Sequence, residues 1–345
     1  MSGGVDSSVA AILMKDGGFD CEGLTMLLAP KDPERLHFGC MSDEEAALAA
    51  TVAKKLGIPH TTLRMDADFE EKVVRPFALS YLEGRTPNPC IECNRHIKFG
   101  ALEEYTASNG FDGICTGHYA KIKREGGRSY LCRAADERKD QTYFLYSLTP
   151  EKLNRVYFPL GDMTKAEIRA IAEENGLPNA KKKDSQDICF VDGDYADFIR
   201  SYTRQKDKSG NFTDSQGNVL GKHGGILPFT VGQRKGLGIA LGEPMYVLSK
   251  DAVSGTVVLG RDAELYVRSL DASALSLCVT PEEISGVSRI YAKIRYNQPP
   301  VAATLSLLGE GRIHVEFDET VRAVCPGQSV VLYEDDVVLG GAVID

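Results

Sequence analysis

Strand-like and helix-like segments alternate through the first half of the chain, and that alternation restricts the fold more than any single motif. "SSVAAILMKDG" places Val9, Ile12 and Leu13 on one helical face, and "CEGLTMLL" follows as an apolar run of strand length. "SDEEAALAATVAKKLG" has the helical period, opened by Ser42 with Glu45 three residues on and stopped at Gly57. "HTTLRMD" predicts a strand, "FEEKVVRPFALSYLEG" a helix, and "FDGICTGHYAK" a strand running into a loop. "TKAEIRAIAEENG" repeats the capped helix with Thr164 and Glu167. Strands separated by helices pair in parallel, so residues 1–200 are expected to form an α/β domain around a parallel sheet.

The texture changes near residue 200. "RQKDKSGNFTDSQGNVLGKHGG" is polar and turn-rich, and is expected to link into a small central β-rich module, residues 201–265. Residues 266–345 carry short alternating runs, among them "LSLCVT", "SRIYAKIRY", "AATLSLLG", "RIHVEFDE" and "SVVLYEDD". Turn residues separate them, which predicts an antiparallel C-terminal β-barrel or sandwich. Three units suit 345 residues. The longest apolar runs, "YFLYSL" and "VVLGGAVI", fall short of a membrane span, and no secretory segment opens the chain. A cytoplasmic protein without a membrane partner is the expectation. A net charge of −9 argues against indiscriminate nucleic-acid binding and against DNA as a partner, while leaving room for a local basic surface.

Ser2–Ser8, "SGGVDSS", runs directly into the first helix. Glycines let backbone amides converge on an anion, and the helix start adds its dipole and free N–H groups. Ser2, Ser7 and Ser8 offer hydroxyls, and Asp6 is placed to orient an amide or carry magnesium. The Walker lysine is missing, so a pyrophosphate that leaves whole suits the loop better than phosphoryl transfer. An N-cap turn that happens to contain Gly-Gly is the plain alternative.

Nine cysteines without a secretory signal point away from a disulfide framework. Cys90 and Cys93 form C-x-x-C within "PNPCIECN", and Cys189 follows in "SQDICF". A second metal-binding pair is missing, which weakens a structural zinc reading. Cys115, Cys132, Cys278 and Cys325 read as small buried hydrophobes, and Cys21 and Cys40 have no assignment. Arg95, Lys98 and Lys181–Lys183 are near enough in sequence to Cys90, Cys93 and Cys189 to lower their thiol pKa values.

"SGGVDSS" resembles the pyrophosphate loop of the N-type ATP pyrophosphatases. "GRTPNPCIECNRHIKFG", "TGHYAK", "KDQTYFLYSL", "KKKDSQDICF" and "GQRKGLGI", in that order, narrow the resemblance to the tRNA-specific 2-thiouridylases. The resemblance implies an adenine nucleotide alpha hydrolase-like first domain, ATP and magnesium as cofactors, and adenylation of the C2 oxygen of a wobble uridine before sulfur replaces AMP. It places ATP on Met1, Ser2, Gly3, Gly4, Val5, Asp6, Ser7, Met26 and Gly117. Cys189 takes the persulfide role and Cys93 forms the transient disulfide. Asn88, Pro89 and Cys90 border the turned-out base. His118, Lys139, Asp140, Gln141, Arg295, Tyr296 and Gln328 fall at tRNA contacts, and "GQRKG" suits the phosphate backbone. The implied partners are the tRNA anticodon region and a cysteine desulfurase or sulfur carrier.

Better-known members carry aspartate where this chain has Cys90. Cys90, Cys93 and Cys189 together match the three ligands of a [4Fe-4S] cluster whose fourth iron takes an external sulfide, so persulfide and cluster chemistry both stay open. Relatives also place an apolar strand ahead of "MSGGVDSS". The expectation is either a start assigned downstream of the true one or an unfilled sheet position beside "CEGLTMLL". A small-molecule ATP ligase sharing the loop is the rival reading, as is a tRNA or Fe–S binding protein without adenylation. For tRNA, Lys181–Lys183, Arg200, Arg204, Lys206, Lys222 and Arg234–Lys235 are the residues expected to line a basic cleft.

Overall fold

A computed structural model describes residues 1–29, 42–182 and 188–345. Cys40 and Lys183 lie outside the described residues. Helix α1, Val5–Asp16, buries Val5, Ser8, Val9 and Ile12, three or four residues apart as one helical face requires. Helix α2, Asp43–Leu56, opens on the Ser42 hydroxyl, which accepts the Glu45 amide at 3.3 Å. It closes at Gly57, whose φ of 67° is the left-handed cap that glycine adopts at no steric cost.

Parallel pairing appears in two places. Strand β1, Gly23–Leu27, runs parallel to β2, His60–Arg64. Strand β3, Ile114–Cys115, precedes a hairpin of β4, Lys121–Glu125, and β5, Arg128–Cys132, and runs parallel to β6, Val156–Tyr157. Met1 packs against β1: its ammonium donates to the Leu24 carbonyl, and the Met1 carbonyl accepts the Thr25 hydroxyl at 2.8 Å. The same ammonium is close enough to Cys115 of β3 for their charges to interact.

The helical stretch α3, residues 66–82, carries wide π-type turns over Glu70–Val74, and α4, residues 89–108, carries them over Cys93–Ala101. Single π insertions recur where a helix must present functional groups. Helices α5, Lys165–Glu174, and α6, Tyr195–Thr203, complete this part. Thr164 and Glu167 make the full reciprocal capping box expected from sequence.

The central module is a four-stranded sheet in the order β8-β7-β10-β9. Its strands are β7, Gly210–Thr213; β8, Val219–His223; β9, Tyr246–Asp251; and β10, Thr256–Gly260. Nine residues of the polar segment expected as a linker therefore form β7 and β8. Phe212 explains this, because it is 1% exposed and seeds a core with Phe229, Val247, Val257 and Leu259.

Six antiparallel strands close the C-terminal barrel: β11, Tyr266–Leu277; β12, Arg289–Lys293; β13, Val301–Gly309; β14, Arg312–Arg322; β15, Ser329–Glu334; and β16, Val337–Ile344. They run in the order β11-β14-β13-β12-β15-β16, and β11 also pairs with β16. On β14 the buried Ile313, Val315 and Phe317 alternate with outward residues, as a half-buried strand demands. The β4–β5 hairpin joins this sheet, with Cys132 opposite Val337.

Lys139, Asp140 and Gln141 stand where the sequence predicts a helix N-terminus, yet "KDQTYFLYSL" forms no α-helix. A single tight turn, Thr142–Phe144, is all that forms. Asp140 is 3% exposed and its carboxylate takes the amides of Ala134 and Thr142 and the Thr142 hydroxyl. Tyr143, Leu145, Tyr146 and Leu148 are all buried, and on a helix they would point to several sides rather than along the one face an amphipathic helix needs. No helix among the described residues is long and apolar enough to cross a membrane.

Candidate active site

The loop ahead of α1 is held open by its own backbone. Gly3 has φ of +67°, and a Cβ there would lie 2.8 Å from the Glu45 carbonyl oxygen. Gly4 is the N-cap of α1, and no side chain caps the helix. Its first amides therefore face the loop mouth without a side-chain acceptor, the arrangement that receives an anion. The Ser7 and Ser8 hydroxyls donate to the Gly4 carbonyl at 3.2 and 2.9 Å. Asn179 braces the loop from behind, its amide donating to the Gly3 carbonyl at 3.0 Å and to Ser8 Oγ at 2.9 Å.

Asp6 does not stand alone. The Lys165 ammonium meets both of its carboxylate oxygens, at 2.7 and 2.9 Å, and the Tyr119 hydroxyl donates to Oδ1 at 2.9 Å. Asp6, read from sequence as orienting an amide or carrying magnesium, holds the Lys165 ammonium here. Gly117 packs on the same turn: a Cβ would come within 2.6 Å of the Asp6 carbonyl carbon and 2.7 Å of the Ser7 nitrogen. Only glycine permits that approach.

From Gly117 the site continues into His118, which is 9% exposed. Burial, aided by the nearby Lys98 ammonium, holds its pKa well below the usual imidazole range, so the ring is neutral at pH 7. Lys98 Nζ approaches Nε2 at 3.4 Å and Thr116 Oγ1 approaches Nδ1 at 2.7 Å. The network assigns Nε2 as acceptor from Lys98 and Nδ1–H as donor to Thr116.

Lys98 also faces the thiols. Cys90, Cys93 and Cys189 lie close enough for their charges to interact, which brings the C-x-x-C and the distant cysteine together. Burial pushes the Cys93 thiol up to about 12, with Lys98 opposing and the other two thiols adding. Cys90 is exposed at the rim, yet the protein around it still raises its thiol pKa, again against Lys98. Cys189 is exposed, and the next residue, Phe190, is anchored in the core against Phe69 and Phe77. Among the described residues, no group of three His, Cys, Asp or Glu side chains is gathered so as to hold a metal ion. A [4Fe-4S] cluster takes one thiolate on each iron rather than three on one ion, so Cys90, Cys93 and Cys189 are the residues that would hold it, as they are the residues that would carry a persulfide.

Three family models match consecutive stretches: the tRNA methyl transferase HUP domain over residues 1–193, the tRNA methyl transferase PRC-barrel domain over 196–261, and the aminomethyltransferase beta-barrel domain over 267–344. A protein of Clostridioides difficile (strain 630) named tRNA-specific 2-thiouridylase MnmA is 45% identical, over 100% of this chain and 96% of its own length. Proteins of the same name from Acetivibrio thermocellus and Moorella thermoacetica are each 47% identical over 100% of this chain, covering 97% and 98% of theirs. The chain belongs to the tRNA-specific 2-thiouridylase family.

The residues that resemblance placed at tRNA or the base divide into two groups. Asn88 opens α4, its Oδ1 accepting the Cys90 amide at 3.1 Å, with Pro89 buried behind. Arg234 and Lys235 are exposed on a turn pinned by Gln233, whose side chain takes the Thr230 amide and donates to the Lys235 carbonyl. Tyr296 is half-buried, with its ring 4.5 Å from Phe144. Lys139 opens the buried turn, its amide donating to the Asp136 carbonyl.

The second group faces inward. Asp140 is consumed by its turn, and Gln141 trades two hydrogen bonds with the Tyr119 backbone. Arg295 donates to the carbonyls of Val231 and Ala323, tying the central module to the barrel. Gln328 donates to the Thr86 carbonyl at 2.7 Å, two residues ahead of Asn88. These side chains hold the site's surroundings. Met26 is half-buried between two hydrophobic cores, and Met1 lies on β1 rather than in the loop.

The basic residues are partly spoken for. Lys182 pairs with Glu45, and Arg200 pairs with Asp197 and Asp207, whereas Lys181, Arg204, Lys206 and Lys222 are exposed. Lys165, Tyr119 and Asn179 escaped the sequence reading. Lys165 carried a signal, a cation at the first position of a helix, where the dipole disfavours it. Asn179 and Tyr119 carried none.

Proposed function

We propose that the chain uses ATP to activate C2 of a tRNA wobble uridine and replaces its oxygen with sulfur. The uncapped loop, the Gly117–His118 turn, Lys98 and three thiols form one continuous path from phosphate site to sulfur site, and this supports the reading most directly. ATP would lie with its phosphates on Ser2–Ser7 and its base toward Met26. The uridine C2 oxygen attacks the α-phosphorus, and pyrophosphate leaves into the loop with the bonding electrons.

Sulfur follows from Cys189, charged as a persulfide by a cysteine desulfurase or carrier. The Cys93 thiolate attacks the Cys189 sulfur, forming a disulfide and releasing the terminal sulfur as hydrosulfide. Hydrosulfide adds at C2 and AMP departs, leaving 2-thiouridine. A thiol reductant then returns two electrons to the Cys93–Cys189 disulfide. Lys98 lies where it favours the thiolate form of Cys93 that this attack needs.

The deciding experiment is pyrophosphate exchange into ATP with and without tRNA. Exchange that requires tRNA, followed by thiolation lost in Cys93→Ala and Cys189→Ala, is the expected result. Exchange without tRNA favours a small-molecule ligase, and no exchange at all overturns adenylation.

A further inference from the structure

We propose that Lys165 is the phosphate-binding cation of the site, an assignment that rests on the ATP-dependent reading above and specifies its nucleotide end. The loop Ser2–Ser8 carries no lysine, and the structure supplies one from 159 residues away. Lys165 is the first residue of α5, directly after the Thr164 cap. A cation in a helix's first turn opposes the macrodipole, so helix stability does not account for it; Glu167, in the capping box, is the residue that serves the helix.

Its ammonium instead reaches back to the first turn of α1 and grips both oxygens of Asp6. The Lys165 side chain is 14% exposed and that of Asp6 32%, so the pair lies at the mouth of the loop, neither sealed nor fully in solvent. The Tyr119 ring is 5.8 Å from the ammonium, and its hydroxyl steadies the same carboxylate. Behind the loop, the buried Oδ1 of Asn179 has no hydrogen-bond partner among the described residues, although its amide holds Gly3 and Ser8.

Through this pair the starts of α1 and α5 are brought together. Two helix N-termini and an ammonium then face one carboxylate, a local excess of positive potential suited to a polyphosphate. Asp6 keeps the ammonium aimed at the loop. When the Pα–O bond breaks, charge collects on the leaving pyrophosphate, and Lys165 meets it while retaining its own proton.

The test is calorimetric binding of ATP, magnesium pyrophosphate and AMP to the full chain, for wild type, Lys165→Met and Lys165→Arg. Lys165→Met is expected to weaken ATP and pyrophosphate at least tenfold, leave AMP within twofold, and keep the thermal midpoint; Lys165→Arg restores part of the loss. Unchanged pyrophosphate affinity, or equal weakening of AMP, overturns the assignment. Acylation of lysines in the wild-type chain, read by mass spectrometry, covers a variant that fails to fold: pyrophosphate but not AMP should protect Lys165 severalfold, and no protection overturns the assignment. A wild type that binds neither ATP nor pyrophosphate overturns the ATP reading as well.

Discussion

Cys93 illustrates how a single residue's surroundings set its chemistry. Its thiol is pushed up to about 12 by burial, so at neutral pH it is almost wholly protonated. Where its attack on Cys189 limits the rate, single-turnover thiolation should rise about tenfold per pH unit between pH 7 and 9, the slope of thiolate formation below the pKa. Lys98→Met removes the one opposing charge and should slow the step at pH 7 by about tenfold, one pK unit. A flat profile, or an indifferent Lys98→Met, would place the rate-limiting step elsewhere. Lys98 was legible in sequence because it lies five residues past Cys93 in a helix. Asn179 was not, and the cation at the start of α5 signalled a partner for Lys165 without naming it, because the loop residues that both meet are more than 150 residues away.

The elements followed sequence where their pattern had one explanation. The two capped helices, α2 and α5, were read from Ser42–Glu45 and Thr164–Glu167, and both caps form. Thr164→Ala removes the α5 cap and should cost about 1 kcal/mol in denaturant unfolding; because Lys165 is the next residue, pyrophosphate affinity should fall with it. Unchanged stability would mean that packing of Ile168 and Ala172 alone holds the helix. Residues 139–148 failed as a helix prediction for a physical reason. Tyr143 and Tyr146 extend their hydroxyls to Ser329, on the barrel, and the buried side chains of the segment do not fall on one helical face. Polar composition misled in the other direction over β7 and β8, where Phe212 outweighed its neighbours.

At the scale of the molecule, residues from all three units meet at shared contacts. Lys250 of β9 donates to the Phe229 carbonyl at 2.8 Å and lies 5.3 Å from the Tyr81 ring of α3. Burial lowers its pKa to about 8, below the ordinary lysine value of 10.5. Between those two values the unfolded chain holds a proton that the folded one has released, so stability rises with pH across that window. Relative to Lys250→Met, the wild type should gain about 2–3 kcal/mol between pH 8 and 10.5, measured by denaturant unfolding; parallel curves would refute the linkage. Thr86 and Gln328 make a similar tie just ahead of Cys90 in the chain. The β4–β5 hairpin carries the same theme further, since strands from the first domain complete the sheet of the last. A recombination event that exchanged only the barrel between relatives would present β5 with a foreign β16, and Tyr143 and Tyr146 with a foreign Ser329 position. The first domain and the barrel are therefore separate in sequence but joined at these contacts, where a change on one side has to be matched on the other.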